Sequence, residues 1–177
     1  MSRKVVLYIA MSLDGYIAKQ DDSIDFLSKV ETPGEDYGYT EFNKTVDTII
    51  WGRKTYDKLK SFGIEFPHKD KKVFVLSKSK TGKEPYIQYV SDIKSLIADL
   101  RNESGKDIYC DGGSETVKEM LRYSLIDKMI ISIIPYLLGS GIRLFRDGLP
   151  EQNMKLINSQ SFPSGLVQLC YEKADQI

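Results

Sequence analysis

Short apolar runs alternate with amphipathic stretches along most of this chain, and that alternation constrains the fold more than any other feature. Lys4 to Ala10, Asp47 to Trp51, Lys72 to Ser77, Tyr86 to Val90 and Asp107 to Cys110 are the runs. A continuous apolar run reads as a strand buried on both faces. Between them lie Glu35 to Lys44, Arg53 to Phe62 and Glu115 to Ser124. A further segment is capped by Ser91 or Asp92 and places Ile93, Leu96, Ile97 and Leu100 at i, i+3, i+4 and i+7. That spacing is the apolar stripe of a helix with one buried face. Strand–helix alternation predicts an α/β fold with a mostly parallel sheet covered by helices on both faces. Lys128 to Leu138 is a long apolar run interrupted by Pro135, which implies a bend or an edge. Leu156 to Phe162 and Leu166 to Lys173 flank Pro163-Ser164-Gly165 and read as a C-terminal antiparallel hairpin. Residues 19 to 34 are polar and irregular. With 177 residues, no repeat and no linker, a single domain over 1–177 is expected.

Charge and residue usage exclude several functions. Lys+Arg and Asp+Glu both total 25, so the formal net charge is zero. A sequence-independent nucleic-acid binder needs a cationic face, so none is expected here. No apolar stretch approaches the roughly 18 residues of a membrane span, and Met1 to Ile9 lacks the form of a signal peptide. The expected location is cytoplasmic. Cys110 and Cys170 read as core or strand residues. His68, the single histidine, falls in a polar loop. Two cysteines this far apart make no zinc set, and a single histidine weighs against a histidine-based triad.

The chemistry is written at the strand-to-helix junctions. Ile50-Trp51-Gly52-Arg53-Lys54-Thr55 takes an apolar run through a glycine straight into two cations and a helix start. A helix N-terminus carries unpaired N–H groups and partial positive charge, which favours an anion such as phosphate. Asp111-Gly112-Gly113-Ser114 is a second glycine junction, with Glu115 and Thr116 behind it. Two such junctions on one sheet can hold two parts of an extended ligand, such as the halves of a dinucleotide. The strand end Leu76-Ser77-Lys78 offers the hydroxyl and cation that suit a ribose 2′-phosphate, which favours NADP over NAD. The G-x-G-x-x-G fingerprint is missing after the first strand, and so is a Walker A sequence.

Taken with these segments, Met11-Ser12-Leu13-Asp14-Gly15-Tyr16-Ile17-Ala18 and Pro135-Tyr136-Leu137-Leu138-Gly139-Ser140-Gly141-Ile142-Arg143-Leu144-Phe145 complete a pattern. The chain resembles the dihydrofolate reductase-like superfamily, and more closely the reductase domain of riboflavin biosynthesis, the RibD C-terminal family. The resemblance covers nearly the whole chain. It implies a three-layer α/β/α domain with a mixed sheet of about eight strands, often dimeric, so a homodimer is expected. It also implies an NADPH-dependent reductase of a small heterocycle, pterin-like or resembling a ribosylaminouracil phosphate. Gly52, Arg53, Lys54 and Thr55 would hold cofactor phosphates, and Leu76, Ser77 and Lys78 the adenosine and its 2′-phosphate. Gly112, Gly113, Ser114, Glu115 and Thr116 would wrap the pyrophosphate and nicotinamide side. Asp14 and Asp36 compete as the catalytic acid, with water as a third proton source; Arg143 is available for a substrate phosphate. The alternative is a non-catalytic NADP(H)- or nucleotide-binding protein on the same fold.

Overall fold

The computed structural model describes residues 2–174. In chain order, β1 is Val5–Ser12 and β2 is Tyr16–Ala18. After a 3-10 turn at Asp25–Val30 come α1, Tyr39–Thr45, β3, Val46–Gly52, and α2, Arg53–Ser61. Next are β4, Lys72–Leu76, β5, Lys83–Glu84, β6, Ile87–Val90, and α3, Ile93–Asn102. Then follow β7, Asp107–Gly112, α4, Ser114–Arg122, β8, Lys128–Ile134, and β9, Ile142–Arg143. The last two strands are β10, Met154–Ser161, and β11, Val167–Lys173.

Nine strands form one sheet in the order β10-β11-β8-β1-β7-β3-β4-β6-β5. The six strands from β8 to β6 in that order run parallel. Antiparallel pairs occur only at the two ends, β5 with β6 and β10-β11 with β8. The expected mostly parallel mixed sheet and its terminal hairpin are therefore present. A separate two-stranded ribbon joins β2 to β9.

The alternation of side chains along buried strands builds two cores. Val5, Leu7, Ile50, Ile108 and Cys110 face α3 and α4 through Ile93, Ile97, Leu100, Val117, Met120 and Leu121. Val6, Ile49, Trp51, Val73, Val75 and Tyr109 face α1 and α2 through Phe42 and Tyr56. Each face of the sheet carries a core, which is why the middles of the central strands, Val5 to Leu7, Ile49 to Trp51, Val73 to Val75 and Ile108 to Cys110, are continuously apolar. Asp92 caps α3, its carboxylate accepting from the Lys94 and Ser95 amides. β8 stops at Ile134, directly before Pro135, whose missing N–H ends the ladder.

Three details depart from the expectations. α1 starts at Tyr39, not at residue 35, because Gly38 adopts φ +85 and breaks the helical path. The polar stretch after β2 contains the 3-10 turn, which buries Phe26 and Val30. His68 lies in the loop between α2 and β4, but its ring turns inward: it is 7% exposed and packs 5.7 Å from the Trp51 ring.

Candidate functional site

The connections leaving β3 and β7 set the position of the cleft. β3 and β7 are neighbours in the sheet. From β3 the chain moves outward to β4, whereas from β7 it crosses back past β1 to β8. Adjacent parallel strands whose connections diverge leave a crevice at their carboxyl ends. A cleft of about 1260 Å³ lies there, lined by both junctions, the end of β4 and the β2–β9 ribbon. Drug-sized ligands fill roughly 300–1,000 Å³, so this volume suits an extended ligand or two smaller ones side by side.

One half of the cleft is made by two helix starts that face each other. Gly52 and Gly113 occupy the positions before α2 and α4, and neither helix has a side-chain cap. The first-turn N–H groups are thus left for another acceptor. A Cβ at Gly52 would stand 2.6 Å from Thr116 Oγ1, and one at Gly113 would stand 3.1 Å from Thr55 Oγ1. Only glycine lets the two junctions approach this closely. Arg53 Nη1 donates to Ser79 Oγ at 3.1 Å and its Nε lies 3.4 Å from Asp57, which directs it to the end of β4. There, Ser77 Oγ accepts from the Ser79 and Lys80 amides.

Of the expected cofactor residues, Gly52, Arg53, Lys54, Thr55, Leu76, Ser77, Lys78, Gly113, Ser114, Glu115 and Thr116 all line the cleft. Gly112 does not; it is buried beneath, against Ile9. The Glu115 carboxylate is already paired with Arg146 across the rim. Arg143 stacks over Tyr16, its guanidinium 4.9 Å from the ring centroid.

The other half is an aromatic floor with one carboxylate. Tyr8, Tyr39, Trp51 and Tyr109 line it, and Asp111 lies among them. Ile50 pairs with Cys110 but Trp51 pairs with Gly112, so Asp111 is an unpaired extra residue in β7. Such bulges re-aim a side chain and recur beside active sites. Asp111 accepts from Trp51 Nε1 and from the Tyr109 hydroxyl, each at 2.5 Å. Burial, reinforced by the Asp111 charge, pushes the Tyr109 hydroxyl well above its ordinary pKa. The same two causes push Tyr39 up to about 12. Both phenols therefore stay protonated, and Tyr109 remains a donor. Nothing local in the sequence marks Asp111 as an acid of the site. The available signal was a Trp and a Tyr in buried strands, each carrying a donor that needs an acceptor.

Asp14 and Asp36 are elsewhere. Neither lines the cleft. Asp14 accepts from Ser12 Oγ and from the Leu138 and Gly139 amides, tying the turn after β1 to the segment after β8. Partial burial works to raise its pKa, but these bonds outweigh it and hold the group at about 2. The Asp36 carboxylate accepts from Gly38 and Thr40 amides at the start of α1. Its pKa is lowered, first by the Thr40 side chain and then by those amides. Both carboxylates are taken up by backbone amides, and the acid set among the aromatic rings of the cleft is Asp111. Among the described residues there is no group of His, Cys, Asp and Glu arranged to hold a metal, and no helix long and apolar enough to cross a membrane.

Comparison with known proteins agrees with this fold. The model of the RibD C-terminal domain matches residues 3–168. The uncharacterized protein YwjB of Bacillus subtilis (strain 168) is 41% identical over 176 residues, 98% of this chain and 100% of its own length. A structure described as a riboflavin biosynthesis protein from Shewanella sp. PV-4 superposes with a TM-score of 0.88 at 34% identity, covering 98% of this chain and 99% of that one. Dihydrofolate reductase from Enterococcus faecalis, solved with NADP(H), shares the fold with a TM-score of 0.67 at 14% identity, over 99% and 100% of the two chains.

Proposed function

The chain belongs to the RibD C-terminal domain family, and on that premise we propose that it is an NADPH-dependent reductase of a small planar nitrogen heterocycle. The observation that carries the reading is the continuity of one cleft, from two uncapped glycine helix starts to an aromatic floor with a single anchored carboxylate. The first half fits a dinucleotide. Gly52, Gly113 and the first turns of α2 and α4 offer amides to phosphate oxygens. Arg53, Ser77 and Lys78 at the end of β4 offer a guanidinium, a hydroxyl and an ammonium to a 2′-phosphate. A bound nicotinamide supplies the hydride.

The protein's own part is binding and orientation. Tyr8 and Tyr39 give apolar contact to a ring, and Trp51, itself buried, holds Asp111 from beneath. Asp111 accepts an N–H of that ring and fixes which face it turns to the cofactor half. A carboxylate among aromatic rings favours ring systems with several N–H donors, such as pterins and aminopyrimidines. Hydride enters at an electrophilic ring carbon, and the neighbouring nitrogen or oxygen takes a proton. On this reading Asp111, rather than Asp14 or Asp36, serves that centre.

A thermal-shift titration with NADPH and NADH tests the cofactor. A ligand at a hundredfold excess over Kd stabilises by about 2.7 kcal/mol, which for a chain of this size raises Tm by about 5–10 °C. NADPH is expected to do so at lower concentration than NADH, and Arg53→Ala to lose more affinity for NADPH than for NADH. Equal losses would remove the 2′-phosphate assignment, and no shift with either nucleotide would remove the reading altogether. Binding without NADPH oxidation across pterins, folates and aminouracils would leave a nucleotide-binding protein.

A further inference from the structure

Glu84, in the two-residue strand β5, does not line the cleft, yet its carboxylate gathers donors from two other elements. It accepts from the Tyr89 hydroxyl at 2.5 Å, the Tyr56 hydroxyl at 3.0 Å and Lys60 Nζ at 3.1 Å. Tyr89 lies in β6, whereas Tyr56 and Lys60 stand one turn apart on α2. The Tyr89 bond, then that of Lys60, outweigh partial burial and hold the carboxyl at about 2, so it is ionised at any working pH. Glu84 closes the loop that opens at Ser77. Residues 78–83 of that loop are all exposed. Its backbone is held by the short β5–β6 pairing and by a bond from the Tyr89 N–H to the Gly82 carbonyl. The mouth of the loop is fastened to α2 as well, because Arg53 donates to Ser79 Oγ at 3.1 Å. One loop is thus tied to one helix at both ends, through Arg53 at the helix start and through Glu84 further along.

We propose that Glu84 is a positioning residue for cofactor selectivity, tying the 77–84 loop to α2 so that the Ser77–Lys78 end keeps a fixed distance from the helix start. The proposal rests on the reductase reading above. On that reading, the start of α2 offers amides to one phosphate and Ser77–Lys78 offers a hydroxyl and an ammonium to the ribose 2′-phosphate. One ligand meets both sites at once only if their spacing is set beforehand, and a loop ordered in advance costs less to bind. A 2′-phosphate that engages Arg53 also competes with the Arg53–Ser79 bond. The Glu84 tether is then what keeps Lys78 in reach. NADH carries no such phosphate and asks nothing of the loop.

Isothermal titration of the full chain with NADPH and with NADH tests this. Glu84→Ala is expected to weaken NADPH by about tenfold, the worth of one hydrogen bond to a charged group, and NADH by less than about twofold. Glu84→Gln keeps an acceptor oxygen for the tyrosines and is expected to stay within about threefold of the wild type for NADPH. A role confined to stability lowers Tm and leaves the ratio of the two constants unchanged, and that result overturns the proposal. Should Glu84→Ala not fold, Tyr89→Phe removes one donor with no change in charge. It must lower the preference for NADPH in the same direction, and an unchanged preference there overturns the proposal equally. A wild-type chain that binds neither nucleotide, or binds both alike, removes the cofactor assignment and this proposal with it. A wild-type preference for NADPH that survives in Glu84→Ala removes this proposal alone.

Discussion

At the scale of single residues, the cleft depends on atoms that cannot be enlarged or removed. Gly52 is one: a methyl group there would meet the buried Thr116 hydroxyl at 2.6 Å. Gly52→Ala is expected to force the two helix starts apart, with a stability loss of about 1–3 kcal/mol in urea unfolding. Its NADPH-induced thermal shift should fall by more than that of the distant Ser159→Ala. Asp111→Asn keeps the side-chain shape but lets its amide present hydrogens where the carboxylate accepts. The expected result is a fall in kcat/KM of roughly a hundredfold or more, about 3 kcal/mol of transition-state stabilisation, with nucleotide binding unchanged. An unchanged kcat/KM would place the reacting ring elsewhere. Asp14 has a different signature. Its pKa falls from 3.8 to about 2 in the folded chain. A depressed carboxylate contributes stability that is fully present above its unfolded pKa and is lost as pH falls through the folded value. Urea midpoints measured from pH 5 to pH 2 should therefore decline more steeply for the wild type than for Asp14→Asn.

At the scale of elements, what could be read ahead divides by range of interaction. The stripe of α3, Ile93, Leu96, Ile97 and Leu100, was legible because it is local, and so was its cap to within one residue, Ser91 or Asp92, of which Asp92 does the capping. Asp92→Ala should cost about 1 kcal/mol, read as a lower urea midpoint. The glycine junctions were legible for the same reason: a strand end, a glycine and cations follow one another directly in the chain. The bulge that carries Asp111 was not, since it exists only when β7 is aligned with β3, some sixty residues away in sequence. The β2–β9 ribbon was hidden too. Its strands are three and two residues long, too short for any periodicity, and it forms because Asp14 and the backbone hold its two segments together. Gly141 lies against the Ala18 carbonyl oxygen, where no Cβ fits. Gly141→Ala should unpair the ribbon, seen as lost hydrogen-exchange protection of the Tyr16 to Ala18 amides, while β1 and β8 keep theirs.

At the scale of the whole molecule, the fold class was legible and the strand order was not. Alternating apolar runs call for a parallel sheet with helices on both sides, but they do not say that β7 enters between β1 and β3. That placement creates the diverging connections and hence the cleft, so the site owes its position to the least local decision in the fold. It also sets a timetable. β1 lies between β7 and β8, so that Val5 aligns with Ile108 and Val6 with Lys128. During synthesis at about 5–20 residues per second, the first strand to leave the ribosome waits roughly 5–20 seconds before its first neighbour has been made. Chains arrested after residue 106 should be cut rapidly by protease within β1, whereas chains arrested beyond the end of β8 with room to fold should resist. An apolar strand held open for that interval is where holding chaperones would bind this polypeptide, well before the cleft that defines it exists.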